Sequence, residues 1–516
     1  MVIARLNVPA QGLWPPLVAL TLILVTRKAL VGLLAGGFAG AMLLAGGNPW
    51  EAYLAVFRDH LAPSLTSPWK VGALAFTLLL GGFAAILEAG GGFTALLRRL
   101  APPGREAGRR FQLAAYSLGL ICFFDGLANS LMVGRVGRSL AAPCGVSRVK
   151  LAYLVDSTSS SVACVALIST WIAFQLSMID DALVAVGRDA SAYSVFLQSL
   201  PYNFYCWFTL ILAPAAIWWR FEPGPMGRFE SEARQRKQSS APVAHDTSGS
   251  TTARALIPLA ALLLAFGAGF LILGRPDPFG PLDRDALTSA FGSDQGPQVM
   301  VLASLVAILV AFALFPQTAQ GRFGPAVGAF GQGVRTMLGP IVILIAAWIL
   351  GSVVQALGTA EMIAGLVDGE SSAALLPALV FIIGALVSFA TGTSWGTMGL
   401  LFPLTIPTAA AMSGGLDPAA QDTLLHAVVA AVFSGAVFGD HCSPFSDTTI
   451  VTAIACEVEP HDHVRTQLPY ALVTAVVAIA LGFLPVGFGM PAWIAMVLGG
   501  GALILLAWWR GKPIQT

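Results

Sequence analysis

The chain has 516 residues, 56% of them hydrophobic and only 11% charged, with a mean hydropathy of +0.77. A soluble domain carries about 25% charged residues, so a fully water-facing surface is excluded, as are disorder and coiled coil. The 28 basic and 27 acidic residues leave a formal charge of +1, which excludes a nucleic-acid binder and leaves a polytopic membrane protein.

A membrane helix needs about 20 mostly apolar residues. In chain order the runs predict spans at 12–26, 29–47, 70–97, 150–178, 197–219, 255–274, 298–315, 336–357, 420–455, 466–484 and 489–509. No small-residue cleavage site follows the first run, and Arg27–Lys28 leads straight into a second, which favours a first membrane helix over a signal peptide. Two further apolar stretches, 111–134 and 373–411, are interrupted by polar, Gly-rich pieces, and 220–254 is a polar linker. Glu88 is expected to snorkel from the end of its span. The six cysteines have no CxxC spacing and read as reduced, buried small hydrophobes.

Loop charge orients these spans, because cytoplasmic loops are enriched in Lys and Arg. The loop 98–110 holds Arg98, Arg99, Arg105, Arg109 and Arg110 against Glu106, and 135–150 holds Arg135, Arg138, Arg148 and Lys150; both read as cytoplasmic. The segment 111–134 therefore enters and leaves on one side, as a re-entrant hairpin with its tip at FFDGLANS (123–130). The linker and the Arg510/Lys512 tail read as inside. The loop 275–297, with four Asp against two Arg, and the loop 358–372, with Glu361, Asp368 and Glu370, read as outside. That makes 373–411 a hairpin from the opposite face.

The expected fold is thus all-α and polytopic, with about 11 membrane-spanning helices, two re-entrant hairpins and two inverted-topology repeats, the architecture of secondary transporters. The first repeat is 1–219, with hairpin 111–134 and broken helix 150–178. The cytoplasmic linker is 220–254, and the second repeat is 255–484, with hairpin 373–411 and broken helix 420–455. Residues 485–516 are an extra helix and tail. FFDGLANSLMVG (123–134) echoes FATGTSWGTMGL (389–400), and LVDSTSSSV (154–162) echoes FGDHCSPFS (438–446), aligning Asp156 with Asp440.

Non-helical backbone survives at membrane depth only where protein or a water-filled cavity satisfies it, and four breaks carry polar side chains. They hold Asp125 and Asn129; Asp156, Ser157 and Thr158, followed by three more serines; Thr391, Thr393, Ser394 and Thr397; and Asp440, His441, Ser443, Ser446, Asp447, Thr448 and Thr449. An Asp at a helix centre costs about 2.5–3.5 kcal/mol on insertion scales. Alkali cations prefer carboxylate, hydroxyl and carbonyl oxygens, and Pro444 frees carbonyls between Asp440 and Asp447. One carboxylate that takes either a cation or a proton is the least chemistry that cation/proton exchange requires. Structural readings compete: Ser and Thr bonding back to helix carbonyls, Gly392 and Gly396 packing helices, and Asp125 capping a helix. His441 reads equally as ligand, proton carrier or packed neutral ring. The HDH triplet at 461–463 reads as solvated loop rather than metal site.

The run GDHCSPFSDTT (439–449), followed by HDHVRTQLPY (461–470) and supported by FFDGLANS and TGTSWGT, resembles the NhaC-type sodium/proton antiporters. That resemblance implies a bacterial cytoplasmic-membrane transporter that moves sodium against protons; some relatives exchange malate for lactate or carry amino acids with sodium. The expected sodium ligands are Asp440, Asp447 and Asp156, surrounded by the other break residues. The expected partners are the lipid bilayer, Na+, H+, a small organic solute in the alternative reading and a second copy in a homodimer, with no nucleic acid and no cofactor. Sodium-coupled transport of an amino acid or carboxylate is the alternative. An intramembrane protease is disfavoured, since Val437 stands where GxGD needs Gly.

Overall fold

A computed structural model describes residues 10–100, 107–237 and 251–511, apart from 276, 292, 294, 318–320, 322, 360–361 and 363–369. Every described segment of regular structure that could cross a bilayer is helical, as the lack of backbone partners in hydrocarbon requires. The principal helices are α1 (Trp14–Thr26), α2 (Ala29–Leu44), α3 (Pro68–Ala89), α4 (Ala107–Ile121), α5 (Gly126–Ala141), α6 (Arg148–Val165), α7 (Thr170–Ala185) and α8 (Phe204–Trp218). They continue with α9 (Ala253–Leu273), α10 (Gly296–Leu314), α11 (Leu338–Ala356), α12 (Glu370–Thr391), α13 (Ser394–Met412), α14 (Pro418–Cys442), α15 (Asp447–Cys456), α16 (Pro460–Val477) and α17 (Ala492–Arg510). By length and composition 8 helices can span a membrane, or up to 11 if each bent pair is one span. This is a multi-pass membrane protein, all-helical as expected.

The polar pieces in the sequence are where helices break. α4 and α5 flank a break at 122–125, α12 and α13 one at 392–393, and α14 and α15 one at 443–446. The predicted span 150–178 is bent by 42° between α6 and α7. An 18-residue stretch of the span that combines α14 and α15 is 89% buried, against 28–56% for the corresponding stretches of the other spans, so it is the central element. Glycines let α12 approach it: a Cβ on Gly435 would stand 2.8 Å from the Phe381 carbonyl oxygen, and one on Gly439 would stand 2.2 Å from the Phe389 nitrogen. Small residues at a seam are how membrane helices gain van der Waals contact where lipid supplies no hydrophobic drive.

Three expectations change. Glu88 does not merely snorkel; Arg135 donates to it at 2.7 Å, tying α3 to α5. Lys150 is not a loop residue but lies buried in the first turn of α6, between the rings of Tyr153 and Tyr470, and donates to the Tyr470 hydroxyl at 3.2 Å. The linker is not free over its first part: Met226–Lys237 is a helix docked on the start of α6. Its Glu230, 1% exposed, accepts from the Ser147 backbone N–H at 2.8 Å and the Ser147 hydroxyl at 2.6 Å. A carboxylate at a helix N-terminus satisfies orphan donors and opposes the positive end of the helix dipole. Arg234 pairs with Glu222 beside it, and burial pushes the Glu222 carboxyl above its ordinary range. Arg105, Glu106, Asp294, Glu361, Asp368 and linker residues 238–250 lie outside the described residues.

Glu230→Ala removes two charge-assisted bonds and leaves the Ser147 donors buried, a loss of about 2 kcal/mol or more. Thermal unfolding in detergent is expected to show a lowered midpoint for this variant and a smaller shift for Glu230→Gln.

Candidate functional site

α6 is buried from Val149 through Cys164; the hydroxyls of Ser157, Thr158, Ser159 and Ser160 find partners inside the protein, while that of Ser161 finds none. They divide by destination. Thr158 bonds back to the Leu154 and Val155 carbonyls at 2.9 and 3.0 Å, and Ser159 to the Asp156 carbonyl at 2.9 Å. Ser157 and Ser160 instead reach across to α14: Ser157 meets His441 Nε2 at 2.9 Å, and Ser160 donates to Asp440 Oδ2. Asn129 stitches α4 to α6 through the Gly119 and Thr158 carbonyls at 2.8 and 3.1 Å. The structural reading thus covers Thr158 and Asn129, but not Ser157 or Ser160.

Asp440 lies three residues before the α14 break and is 3% exposed. Ser446 donates to its Oδ1 at 2.7 Å, and Ser160 engages the other oxygen. Its backbone carbonyl, freed where the helix ends, lies 3.2 Å from the Thr448 hydroxyl and 3.0 Å from that of Thr449. Pro444 prevents helical continuation, and Ser443 spans the gap by donating to the Phe389 carbonyl at 2.6 Å. On the facing break, Gly392 has φ +67, and a Cβ there would stand 2.4 Å from the Phe445 carbonyl. Thr391 bonds back to Val387 at 2.7 Å, and Thr393 caps α13 by accepting from the Gly396 N–H at 3.1 Å. Asp125 caps α5, accepting from the Ala128 N–H at 2.7 Å, and its second oxygen accepts from Thr170 at 2.7 Å.

These breaks enclose a cavity of 160 Å³ lined by Asp125, Thr170, Thr393, Ser394, Asp440, Asp447 and Thr448, with Trp171, Trp395 and Met337 among its apolar walls. Three carboxylates face it, and its described lining contains no Lys or Arg.

Asp156 lies elsewhere. It does not line the cavity; its Oδ2 accepts from Gln467 at 2.8 Å and from Thr449 at 3.3 Å, and His463 Nε2 lies 3.1 Å away. Asp440 and Asp447 share the cavity, then, while Asp156 is linked to Asp440 through the Thr449 hydroxyl. No group of three or more His, Cys, Asp or Glu arranged to hold a metal ion occurs among the described residues. His441 has both ring nitrogens engaged, Nε2 by Ser157 and Nδ1 by the Tyr205 hydroxyl at 2.8 Å, so it packs as a hydrogen-bonded ring between α6 and α8.

His463 corrects the solvated-loop reading of the HDH triplet. It is fully buried, because α16 begins at Pro460, before the predicted span at 466. The spacing of His463, Gln467 and Tyr470 puts all three on one helical face, a signal present in the sequence but masked by the adjacent charges. Tyr205, Thr170 and Gln467 likewise lie outside the set of break residues that the sequence offers.

A sequence model described as the Na+/H+ antiporter family matches residues 162–488. An uncharacterized protein of Haemophilus influenzae is 30% identical over 481 residues, covering 92% of this chain and 90% of that protein. The malate-2H(+)/Na(+)-lactate antiporter of Bacillus subtilis is 39% identical over 145 residues, 28% of each chain. Among solved structures, the YdaH transporter of Alcanivorax borkumensis superposes with a TM-score of 0.56 at 17% identity, covering 87% of this chain and 90% of that one; the likeness is one of fold.

Two substitutions probe this geometry. Gly392→Ala forces a Cβ into the Phe445 backbone at a positive φ and is expected to lower both transport and thermal stability. Gln467→Leu removes the closest donor to a fully buried carboxylate, a loss of about 1–3 kcal/mol read as a lowered unfolding midpoint in detergent.

Proposed function

Because the chain belongs to the Na+/H+ antiporter family, a family of secondary transporters, we propose that it exchanges sodium ions for protons across the cytoplasmic membrane of a bacterial cell. The observation that carries this reading is the membrane-depth cavity with three carboxylates and four hydroxyl groups on its wall. Such a lining suits a hard monovalent cation, which takes oxygen ligands and exchanges them readily.

Asp440 is the residue we assign to both ions. Each of its carboxylate oxygens accepts one serine hydroxyl, and each keeps lone-pair capacity toward the cavity. A sodium ion and a proton therefore compete for one group. With sodium bound, the Ser160 and Ser446 hydroxyls remain donors and Thr448 offers an oxygen; with a proton bound, the charge is neutralised and the cation is displaced. Asp447 and Asp125 add negative potential that draws a cation in.

A second reading is sodium-coupled exchange of a small carboxylate, favoured by the 145-residue likeness to the malate-2H(+)/Na(+)-lactate antiporter. Labelled malate or lactate flux in everted membrane vesicles distinguishes the two.

In everted vesicles holding a pH gradient, added sodium is expected to collapse the gradient. Asp440→Asn is expected to abolish that response, down to vesicles lacking the protein; a variant that responds like the wild type refutes the assignment to Asp440.

A further inference from the structure

A second cavity lies in line with the first. It measures 290 Å³, and its polar lining includes His60, Lys70, Asp180, Asp181, Ser352 and Gln355. α7, α11 and α13 line both cavities. On α7 the carboxylate cavity ends at Trp171 and the second one begins at Met178; on α11 the limits are Ile343 and Gly351, and on α13 Trp395 and Pro403. Each interval is two helical turns, about 11–12 Å, so on each helix the two limits share a face.

The second cavity lies on the side away from the cytoplasm. α6 starts at Arg148, which converges with Arg138 on Glu457, at the end that loop charge assigns to the cytoplasm. α7 continues that bent span toward the opposite face, and there Asp181 pairs with Lys70 at 2.9 Å.

One layer of side chains separates the two cavities. Phe174, Ala347 and Gly399 stand midway between the limits on their helices, and they meet: a Cβ on Gly399 would lie 2.6 Å from the Ala347 Cβ and 3.5 Å from the Phe174 Cζ. The Phe174 ring, fully buried, also lies 4.7 Å from that of Trp395. Gln175 occupies the same layer. Its amide nitrogen reaches sulfur atoms, Cys164 at 3.3 Å and Met398 at 3.9 Å, and its buried Oε1 has no partner. A buried carbonyl oxygen without a donor is costly, and it is also a ligand that a hard cation takes.

We propose that the second cavity is the outer vestibule through which a hydrated monovalent cation passes to and from Asp440, and that Phe174 is the gate between them. Asp180 and Asp181 supply negative potential at the mouth. Gln175 offers an oxygen where the cation sheds water, and Ala347 and Gly399 put no bulky side chain in its way once the ring swings aside. The inference rests on the antiport reading.

The test labels the vestibule from outside. Cells expressing Gln355→Cys, an exposed lining position, are treated with a membrane-impermeant cationic thiol reagent before vesicles are everted. Labelling is expected to abolish sodium-induced proton movement relative to the same variant untreated. Treated wild type, whose cysteines are buried apart from Cys144 near the cytoplasmic end, is expected to keep it, as is treated Ala419→Cys, exposed at the outer end of α14. A Gln355→Cys variant that takes no label, or stays active when labelled, overturns the proposal, and so does an equal loss in Ala419→Cys. Phe174→Ala is expected to let sodium cross proteoliposomes without moving protons; a variant that reconstitutes and stays coupled overturns the gate. If it does not accumulate, the labelling result decides. Wild-type vesicles without sodium-induced proton movement overturn the antiport reading itself, whereas a responsive wild type with an insensitive Gln355→Cys overturns this inference alone.

Discussion

Broken helices at membrane depth leave backbone donors and acceptors that lipid cannot satisfy, and the interior of this protein is organised around meeting that demand. The breaks at 392–393 and 443–446 answer it by packing on each other. Ser443 donates to the Phe389 carbonyl, Thr448 and Thr449 stand against the carbonyl of Asp440, and Gly392 takes a positive φ that brings it against Phe445. Because side-chain hydroxyls serve these carbonyls, the same segments present oxygens to the cavity. Thr448 does both: its hydroxyl stands against the Asp440 carbonyl and also lines the cavity.

That coupling explains what could be read from the chain. Pro444 between two Asp residues in an apolar run announces a break with oxygen ligands, so Asp440, Ser446, Asp447 and Thr448 stood out. The spans were legible for a similar reason: a run of about 20 apolar residues has few alternatives in hydrocarbon. The partners of Asp156 were not legible. His463 and Gln467 come from a helix about 300 positions away in sequence, and their turn follows Glu457, Glu459, His461 and Asp462, which reads as solvated loop until tertiary packing buries it. Tyr205 sits in an aromatic run where nothing separates a hydrogen-bonding ring from an apolar one. Glu230 belongs to a polar linker whose composition predicts no docking; only contact with the start of α6 reveals it.

The two carboxylates that the sequence aligns, Asp156 and Asp440, have different surroundings. The Gln467 amide and the Thr449 hydroxyl donate to Asp156, and the His463 ring lies against it, away from the cavity. Asp440 is held by serine hydroxyls alone and faces the cavity. The Thr449 hydroxyl lies between the Asp156 carboxylate and the Asp440 carbonyl, so a shift of either helix is felt by both. Ser157 and His441 add a second tie between the same helices.

The glycine seam between α12 and α14 has a mechanical corollary. With Gly435 and Gly439 set against the backbone of residues 381–389, neither helix can slide by a fraction of a turn without a carbonyl or amide colliding with the other. The pair behaves as a keyed joint, stiff along its length. Motion that exposes the cavity first to one side and then to the other has to be taken up by helices outside this joint, swinging around a frame that carries both breaks as a single piece.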